Sequence, residues 1–263
     1  MKKEWIIIRG GGDIASGVAY ALYMAGYKII ITEIEKPTFI RTEVSYGNAI
    51  YKKRMIIEGI ESRYIKTQKE LDENIINVII DTKAEIVDSI LPLVIIDATI
   101  SKKNIGLNKN KKYFTIALGP GYDAGKDCDI VIETNRGHNL GKIIFEGTAS
   151  PNTGKPANVL GYTEERVIRS PENGKFRKIK NIGDIVMKNE IVGYVGEKEV
   201  KTRINGIVRG LINEIEVTEN MKIGDVDPRE RKEYAFTISD KAKSLGGATL
   251  IAVENLKLTK LKR

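Results

Sequence analysis

Short runs of branched apolar residues alternate with stretches of helical periodicity through the first half of the chain. The apolar runs predict buried parallel strands at Trp5–Ile8, Lys28–Ile31, Asn77–Ile80, Leu93–Ile96, Tyr113–Leu118 and Asp129–Ile132. The stretches between them predict helices, several opening on a Thr or Asp cap, at Asp13–Ala25, Thr42–Tyr51, Thr67–Ile75 and Thr82–Leu91. This alternation predicts an α/β fold, with a Rossmann-like doubly wound parallel sheet over residues 1–160.

The pattern changes after about residue 161 to short apolar pairs, charged residues and glycine turns, which favour a small all-β domain over residues 161–230. The segment repeats itself, because Asn173-Gly174 returns as Asn205-Gly206 and Val192-Gly193 returns as Ile223-Gly224. It resembles the barrel-sandwich of biotinyl and lipoyl domains. Lys198 lies in a shorter hairpin than the modified lysine of those carriers, so a rigid structural domain is the alternative.

Residues 231–263 predict a C-terminal helical segment. Ser239 and Asp240 precede an apolar-periodic run and read as a helix cap, and Gly246-Gly247 predicts an interruption. We expect this segment to pack back on the first domain.

A glycine turn between the first predicted strand and helix suggests the chemistry. Gly10 permits a tight turn, Gly12 lets a backbone approach a pyrophosphate, and Ala15 allows close packing of helix and strand. The helix N-terminus favours an anion, and an acid after the second strand is placed to accept from a ribose. The alternative is a turn without a ligand. The predicted cofactor-binding residues are Gly10, Gly11, Gly12, Asp13, Ala15, Glu33, Gly119 and Gly121.

Other polar residues follow the predicted strands where their carboxyl ends meet, which is the binding edge of such sheets. Lys102 follows the fourth strand, and Arg136 and His138 follow the sixth. Anion contact or proton transfer suits these side chains, so they are the catalytic candidates, with a structural hydrogen bond as the alternative for His138. The catalytic residues are otherwise unknown.

Composition narrows the classes of function. The net charge is +8, but the basic residues are scattered among 35 acidic ones, which argues against nucleic-acid binding.

The single cysteine, Cys128, excludes an internal disulfide, and with one histidine no metal site is predicted. Cys128 lies in an apolar run typical of a core residue. The segment that begins at Ala149 resembles a P-loop but has Pro156 in the magnesium-ligand position. Without a signal peptide or membrane span in the pattern, we expect a cytoplasmic protein.

Dense motif matches run along the chain. They are RGGGDIASGVA from Arg9, the Ile40-Arg41 segment, DATISKKN from Asp97, LGPGYDAGKD from Leu118, VIETNRGHNLG from Val131, SPNTGKP from Ser150, KIGDVDPR from Lys222 and ISDKA from Ile238. Through them the chain resembles the YqeB-type maturation proteins of selenium-dependent molybdenum hydroxylases, relatives of the xanthine dehydrogenase accessory proteins. The resemblance implies a helper that completes or inserts a molybdenum-pterin cofactor, with a hydroxylase as client protein.

Two other functions stay open at this point. An NAD(P)-dependent oxidoreductase would use the same glycine turn and Glu33, with His138 as acid or base. A non-catalytic adaptor would dock through the barrel domain. The ligand expected at the turn is dinucleotide-like, either the molybdenum-pterin dinucleotide or NAD(P). The residues leave a homodimer open and give no sign of a nucleic-acid or membrane partner.

Overall fold

A computed structural model describes residues 4–261 of the 263-residue chain. The chain forms two compact units, each built from separate stretches of sequence. Unit 1 contains Met1–Pro37, Tyr46–Asn152 and Ile238–Arg263, and unit 2 contains Thr38–Ser45 and Thr153–Thr237. The domain boundaries predicted at residues 160 and 230 stay a prediction.

Unit 1 is built on a large mixed sheet. Its strands are β1 (Trp5–Arg9), β2 (Lys28–Glu33), β3 (Arg54–Ile57), β4 (Ile60–Ile65), β5 (Ile76–Ile80), β6 (Val94–Asp97), β7 (Phe114–Leu118), β8 (Asp123–Ala124), β9 (Ile130–Ile132), β10 (Ile143–Ile144) and β11 (Gly147–Thr148). Nine of them pair in the order β10-β9-β7-β6-β1-β2-β5-β4-β3, and β8 pairs with β11. Neighbours from β9 to β4 are parallel, whereas β10 and β3 are antiparallel at the edges.

Two long helices cover one face of this sheet. The α-helices are α1 (Asp13–Met24), α2 (Ala49–Lys52), α3 (Val87–Ile90), α4 (Glu233–Phe236) and α5 (Asp240–Leu261). Apolar residues of α1 and α5 pack with one side of the central strands in a common core that includes Ile8, Leu22 and Leu245. The opposite side packs against turns, loops and the short helix α3, which contribute Leu107, Tyr122 and Val87 to a second core.

The predicted fold class, a Rossmann-like doubly wound sheet followed by a barrel-sandwich domain, is wrong. The structure has a large mixed sheet, small additional sheets and one long C-terminal helix. A doubly wound sheet needs crossover helices on both faces, but three of the predicted crossovers fold mainly into short turns. Thr42–Val44, Tyr46–Asn48 and Gln68–Glu70 are 3-10 turns, and α2 and α3 have four residues each.

Unit 2 consists of short antiparallel strands. They are β12 (Val167–Arg169), β13 (Gly174–Lys178), β14 (Ile185–Val186), β15 (Ile191–Val195), β16 (Lys198–Lys201), β17 (Gly206–Leu211), β18 (Glu216–Val217) and β19 (Lys222–Asp227). Two four-stranded sheets, β12-β19-β17-β14 and β16-β15-β13-β18, share one apolar core around Phe176 and Val208. A separate segment, Thr38–Ser45, belongs to this unit as well, so the unit is not one continuous sequence domain.

The internal repeat corresponds to equivalent positions in the two sheets. β13 and β17 each begin at a glycine of positive φ, Gly174 at +152° and Gly206 at +151°. Asn189 and Asn220 occupy matching left-handed turns, with φ of +68° and +62°. Lys198 begins β16 and forms an ion pair with Glu172 at 3.2 Å.

The C-terminal helix α5 is continuous, so the predicted break at Gly246-Gly247 is wrong. Ser239 caps it, because its Oγ accepts a hydrogen bond from the Ala242 N–H at 3.2 Å. Gly246 is buried where α5 crosses α1, and a Cβ at this position would lie 3.0 Å from the Gly17 carbonyl carbon. The glycine therefore permits close helix packing and does not end the helix.

Candidate functional site

The first two glycines of the turn are required by the fold. Gly10 has a φ of +87°, and its N–H donates to the Thr32 carbonyl at 2.9 Å. A Cβ on Gly11 would lie 2.6 Å from the Cα of Gly47, whose N–H donates to the Gly11 carbonyl at 3.0 Å. Both positions favour glycine for reasons of conformation and close approach, with no ligand involved.

Gly12 differs from its neighbours. Its φ of −70° and ψ of −175° are extended backbone that any residue adopts. No side chain caps α1, which begins at the next residue, and within residues 4–261 the Gly12 N–H has no hydrogen-bond partner. Helix N-termini without caps bind anions readily. This end of α1 is therefore suited to a ligand, and Ala15 is fully buried beneath it.

Glu33 closes the turn from the side of β2. Its Oε2 accepts the Gly11 N–H and its Oε1 accepts the Ile34 N–H, both at 2.8 Å. Burial raises the pKa of the Glu33 carboxyl, although the two N–H groups act in the opposite direction. A ribose hydroxyl would share an oxygen with one of these N–H groups. The ribose role of Glu33 stays a prediction.

The first turns of α5 and α1 lie side by side. A Cβ on Gly17 would meet the Ala242 carbonyl carbon at 2.6 Å, and the next turn of α5, at Gly246, approaches Gly17 and Ala21. Residue numbers increase in the same direction along both helices at this crossing, so α1 and α5 run parallel and their N-termini meet. The positive ends of two helix dipoles are thereby brought to one edge of the sheet.

Lys241, in the first turn of α5, is the basic side chain at this meeting point. Burial, and then the positive charge of Arg136, lower the pKa of the Lys241 amine, while Asp13, Glu133 and Asp240 act to raise it. Within residues 4–261, Lys241 forms no ion pair shorter than 4 Å. Its charge is consequently not neutralised by a close carboxylate. Lys241 was not predicted as a site residue from the sequence, where only its position in the ISDKA motif marks it.

The acidic groups around Lys241 are partly engaged elsewhere. Asp240 forms a bidentate, exposed ion pair with Arg136, at 2.8 and 3.0 Å. Glu133 accepts the N–H groups of Asn135 and Ser150, each at 2.7 Å. Burial acts to raise the pKa of Glu133, but these N–H donors outweigh it and hold the pKa below its usual range. Asp13 accepts from the Ile14 N–H at 3.0 Å and is the acid at the start of α1.

A buried ion pair lies at the same edge, on the other face of the sheet. Arg9 donates to Asp97 at 3.1 Å and to the Ile105 carbonyl at 3.1 Å, and Thr99 donates to Asp97 through Oγ1 at 2.7 Å. The Tyr122 hydroxyl is buried beside Asp97 without a hydrogen-bond partner among the described residues. Burial, and then the Asp97 charge, raise the pKa of Tyr122. Tyr122 and the pairing of Arg9 were not predicted.

The remaining predicted site residues lie in loops that follow strands of the large sheet. Gly119 and Gly121 have φ of +86° and +103°, and side chains there would collide with Thr134 and with the Lys102–Lys103 backbone. Loop packing alone therefore requires glycine at both positions, and their cofactor-binding role stays a prediction. Lys102 and His138 are exposed in separate loops, after β6 and after β9. Their catalytic roles stay predictions.

Cys128 is a core residue. It is fully buried, burial raises the pKa of its thiol to about 12, and its Sγ donates to the Ile130 carbonyl at 3.3 Å. A thiol of this kind is not a nucleophile at neutral pH. In the described part of the chain, no group of three or more His, Cys, Asp or Glu residues is placed to hold a metal ion.

The sequence of the chain was compared with protein-family models and with known proteins. No protein-family model matches it. It is 43% identical to YqeB of Escherichia coli strain K12, an uncharacterized protein, over 255 residues, which are 95% of this chain and 47% of that protein. The chain is similar to YqeB over nearly its full length. The identity supports a YqeB-type family, and the chain spans about half the length of this relative.

Similarity to solved structures is much weaker. An aspartoacylase family protein from Mesorhizobium loti covers 86% of the chain and 85% of its own, with 10% identity and a TM-score of 0.28. A succinylglutamate desuccinylase from Silicibacter covers the same shares, with 8% identity and a TM-score of 0.24. A succinylglutamate desuccinylase/aspartoacylase from Rhodobacter sphaeroides covers 24% of the chain and 21% of its own, at 23% identity and a TM-score of 0.22. Such scores do not assign hydrolase activity to this chain.

These findings correct the expected function. YqeB is uncharacterized and gives no support for a molybdenum accessory role, and the solved structures carry the names of aspartoacylase and desuccinylase proteins. The expectation of a maturation role in a molybdenum hydroxylase system is therefore wrong on these comparisons, as are its alternatives and the Rossmann and nucleotide-binding descriptions. A client protein and a homodimer stay predictions. Within residues 4–261, no helix is long and apolar enough to cross a membrane.

Proposed function

We propose that unit 1 binds a small molecule through a phosphate or pyrophosphate group at the joint N-termini of α1 and α5. The observation that carries this proposal is the parallel crossing of the two helices, which puts Lys241 beside an uncapped helix start. The Gly12 N–H and the Lys241 amine are the groups that contact the anion. A charged amine and a free N–H together give charge-assisted and neutral hydrogen bonds.

Asp13 sets a condition on this binding. Its carboxylate lies in the first turn of α1 and acts electrostatically on Lys241, so it repels an anion that carries no counter-ion. Mg²⁺ typically joins one or two carboxylates to substrate phosphates, and such an ion would turn the repulsion into attraction. We therefore expect tighter binding with Mg²⁺ than without it.

The cofactors expected from the sequence, the molybdenum-pterin dinucleotide and NAD(P), both carry a pyrophosphate. Gly12 and Lys241 would hold that group, and Glu33 would contact a ribose only by sharing an oxygen with a backbone N–H. The fit is thus limited to the pyrophosphate. Inorganic pyrophosphate is consequently the first probe, and the two cofactors are compared with it afterwards.

Calorimetric titration with pyrophosphate, with and without Mg²⁺, tests the proposal. Lys241→Gln should weaken binding about 10- to 100-fold, because a hydrogen bond to a charged group contributes about 1.5–3 kcal/mol. Lys243→Gln is the matched control, since Lys243 is exposed on the same helix and pairs with Glu58 at 3.2 Å. Equal loss in both variants would show a general charge effect and would contradict the site.

A second variant separates binding from folding. Gly12→Ser places a preferred capping residue before α1, and its hydroxyl accepts from N–H groups of the first helical turn and adds a partial negative charge where the anion would bind. The variant should unfold at a temperature no lower than the wild type and bind pyrophosphate more weakly. If the folded Gly12→Ser protein binds pyrophosphate as tightly as the wild type, the glycine turn has no part in binding.

A further inference from the structure

Two sequence segments with no role in unit 1 meet in unit 2. The Ile40-Arg41 segment packs on β17, where a Cβ on Gly210 would lie 2.8 Å from Ile40 Cγ2. The KIGDVDPR segment forms β19, which pairs with β17. The register between them shifts from Val208 to Gly210, so Arg209 occupies a β-bulge. Bulges commonly redirect a side chain beside a functional site.

Arg209 is a partly buried guanidinium with weak partners. Its side chain is 14% exposed, and its Nε lies 3.4 Å from the Tyr234 carbonyl and 3.6 Å from Asp227 Oδ2. Among the described residues, the terminal Nη groups of Arg209 make no hydrogen bond. Arg41 donates to the same Tyr234 carbonyl at 2.8 Å, so two guanidinium groups lie side by side.

The neighbouring carboxylates have closer partners than Arg209. Asp225 forms a bidentate pair with Arg166, both contacts at 2.9 Å. Asp227 accepts from Arg229 at 2.9 and 2.6 Å, and Arg229 also stacks on the Tyr234 ring at 4.5 Å. Four arginines thus surround two aspartates. Burial, and then the charge of Arg41, lower the pKa of Arg209 to about 10.

We propose that Arg209, together with Arg41, binds an oxyanion that carries two negative charges, either a phosphoryl or a dicarboxylate group. A buried guanidinium costs free energy unless it is paired, and its planar fork matches carboxylate and phosphate oxygens. The Nη groups of Arg209 supply that fork. This site is independent of the one proposed in unit 1.

Titration of the full chain with inorganic phosphate and with succinate, at constant ionic strength, tests the proposal. Arg209→Gln should lose at least tenfold in affinity for the ligand that binds. Arg177→Gln, which changes an exposed arginine of the same unit, should bind as the wild type does. Lys241→Gln should also keep this binding, which separates it from the unit 1 site. Tighter phosphate indicates a phosphoryl ligand, and tighter succinate indicates a dicarboxylate.

Arg209→Lys decides the matter if Arg209→Gln does not fold, because lysine keeps the charge and lacks the fork. Its affinity should fall while its circular dichroism spectrum is unchanged. Wild-type affinity in either folded variant would overturn the proposal. Absence of binding by both phosphate and succinate would overturn it as well.

Discussion

The crossing of α1 and α5 makes a sharp prediction about two adjacent glycines. A Cβ on Gly246 would lie 3.0 Å from the Gly17 carbonyl carbon and 3.0 Å from Ala21 Cβ, against about 3.5–4.0 Å for an ordinary carbon contact. A Cβ on Gly247 would meet no atom within 4 Å. Gly246→Ala must therefore separate the helices, whereas Gly247→Ala need not.

The two substitutions share one stabilising effect, since Ala is favoured over Gly in a helix by about 1 kcal/mol. Gly247→Ala should show this gain alone. Gly246→Ala adds an overpacking cost of about 1–3 kcal/mol, so it should be less stable than Gly247→Ala by that amount. The comparison within one helix cancels the helix propensity.

Urea unfolding followed by Trp5 fluorescence is the assay. Trp5 is the single tryptophan of the chain and lies in β1, so its signal reports unit 1. A two-unit chain need not unfold in one transition, which makes this local probe necessary. Equal free energies of unfolding in the two variants would refute the close packing of α5 on α1.

Three further predictions concern buried groups of unit 1. Asp97→Ala leaves the Arg9 guanidinium buried without its partner and should lower the free energy of unfolding by about 3–5 kcal/mol in urea, whereas Lys126→Gln, at an exposed ion pair, should not change it. The lowered pKa of Glu133 means that its carboxylate stabilises the fold above about pH 4.5 and that this stability is lost as the pH falls further, so melting curves of Glu133→Gln should depend less on acid pH than those of the wild type. Cys128 should react with a thiol reagent only after denaturation, and rapid reaction of the native protein would contradict its burial.

Periodicity predicted the central strands but not their connections. β1, β2, β5, β6, β7 and β9 overlap the predicted runs because continuous apolar stretches are typical of parallel strands buried on both faces. The predicted helix over Thr67–Ile75 has a true capping box, in which Thr67 and Glu70 satisfy each other, yet only a 3-10 turn forms there. The capping box determines where the helical turn starts, but it does not determine how many residues the helix contains.

Local contacts account for two other differences from the predicted elements. The Thr82–Leu91 segment is held by Asp81, which accepts the N–H groups of Glu85 and Ile86, and Leu91 then turns left-handed before Pro92. The hairpin of β3 and β4 was missed, although the turn residues Glu58-Gly59, with φ of +46° and +82°, are a signal for it.

The sequence predicted the glycine turn of the candidate site but not Lys241. The glycine turn was found because its spacing is local, and the structure adds that Gly12, unlike Gly10, has a backbone conformation that any residue adopts. Lys241 joins it through a helix crossing more than two hundred residues away along the chain, which no local pattern encodes. Arg209 was missed for the same reason, because a β-bulge and two separate segments create its environment.

A crystal structure of the full chain grown with Mg²⁺ and pyrophosphate tests the central claim most directly. The account predicts a phosphoryl oxygen within hydrogen-bond distance, about 2.7–3.2 Å, of both the Gly12 nitrogen and Lys241 Nζ, with Mg²⁺ between the pyrophosphate and Asp13. Pyrophosphate bound elsewhere in unit 1, or a helix junction that stays without it at saturating concentration, would contradict the account.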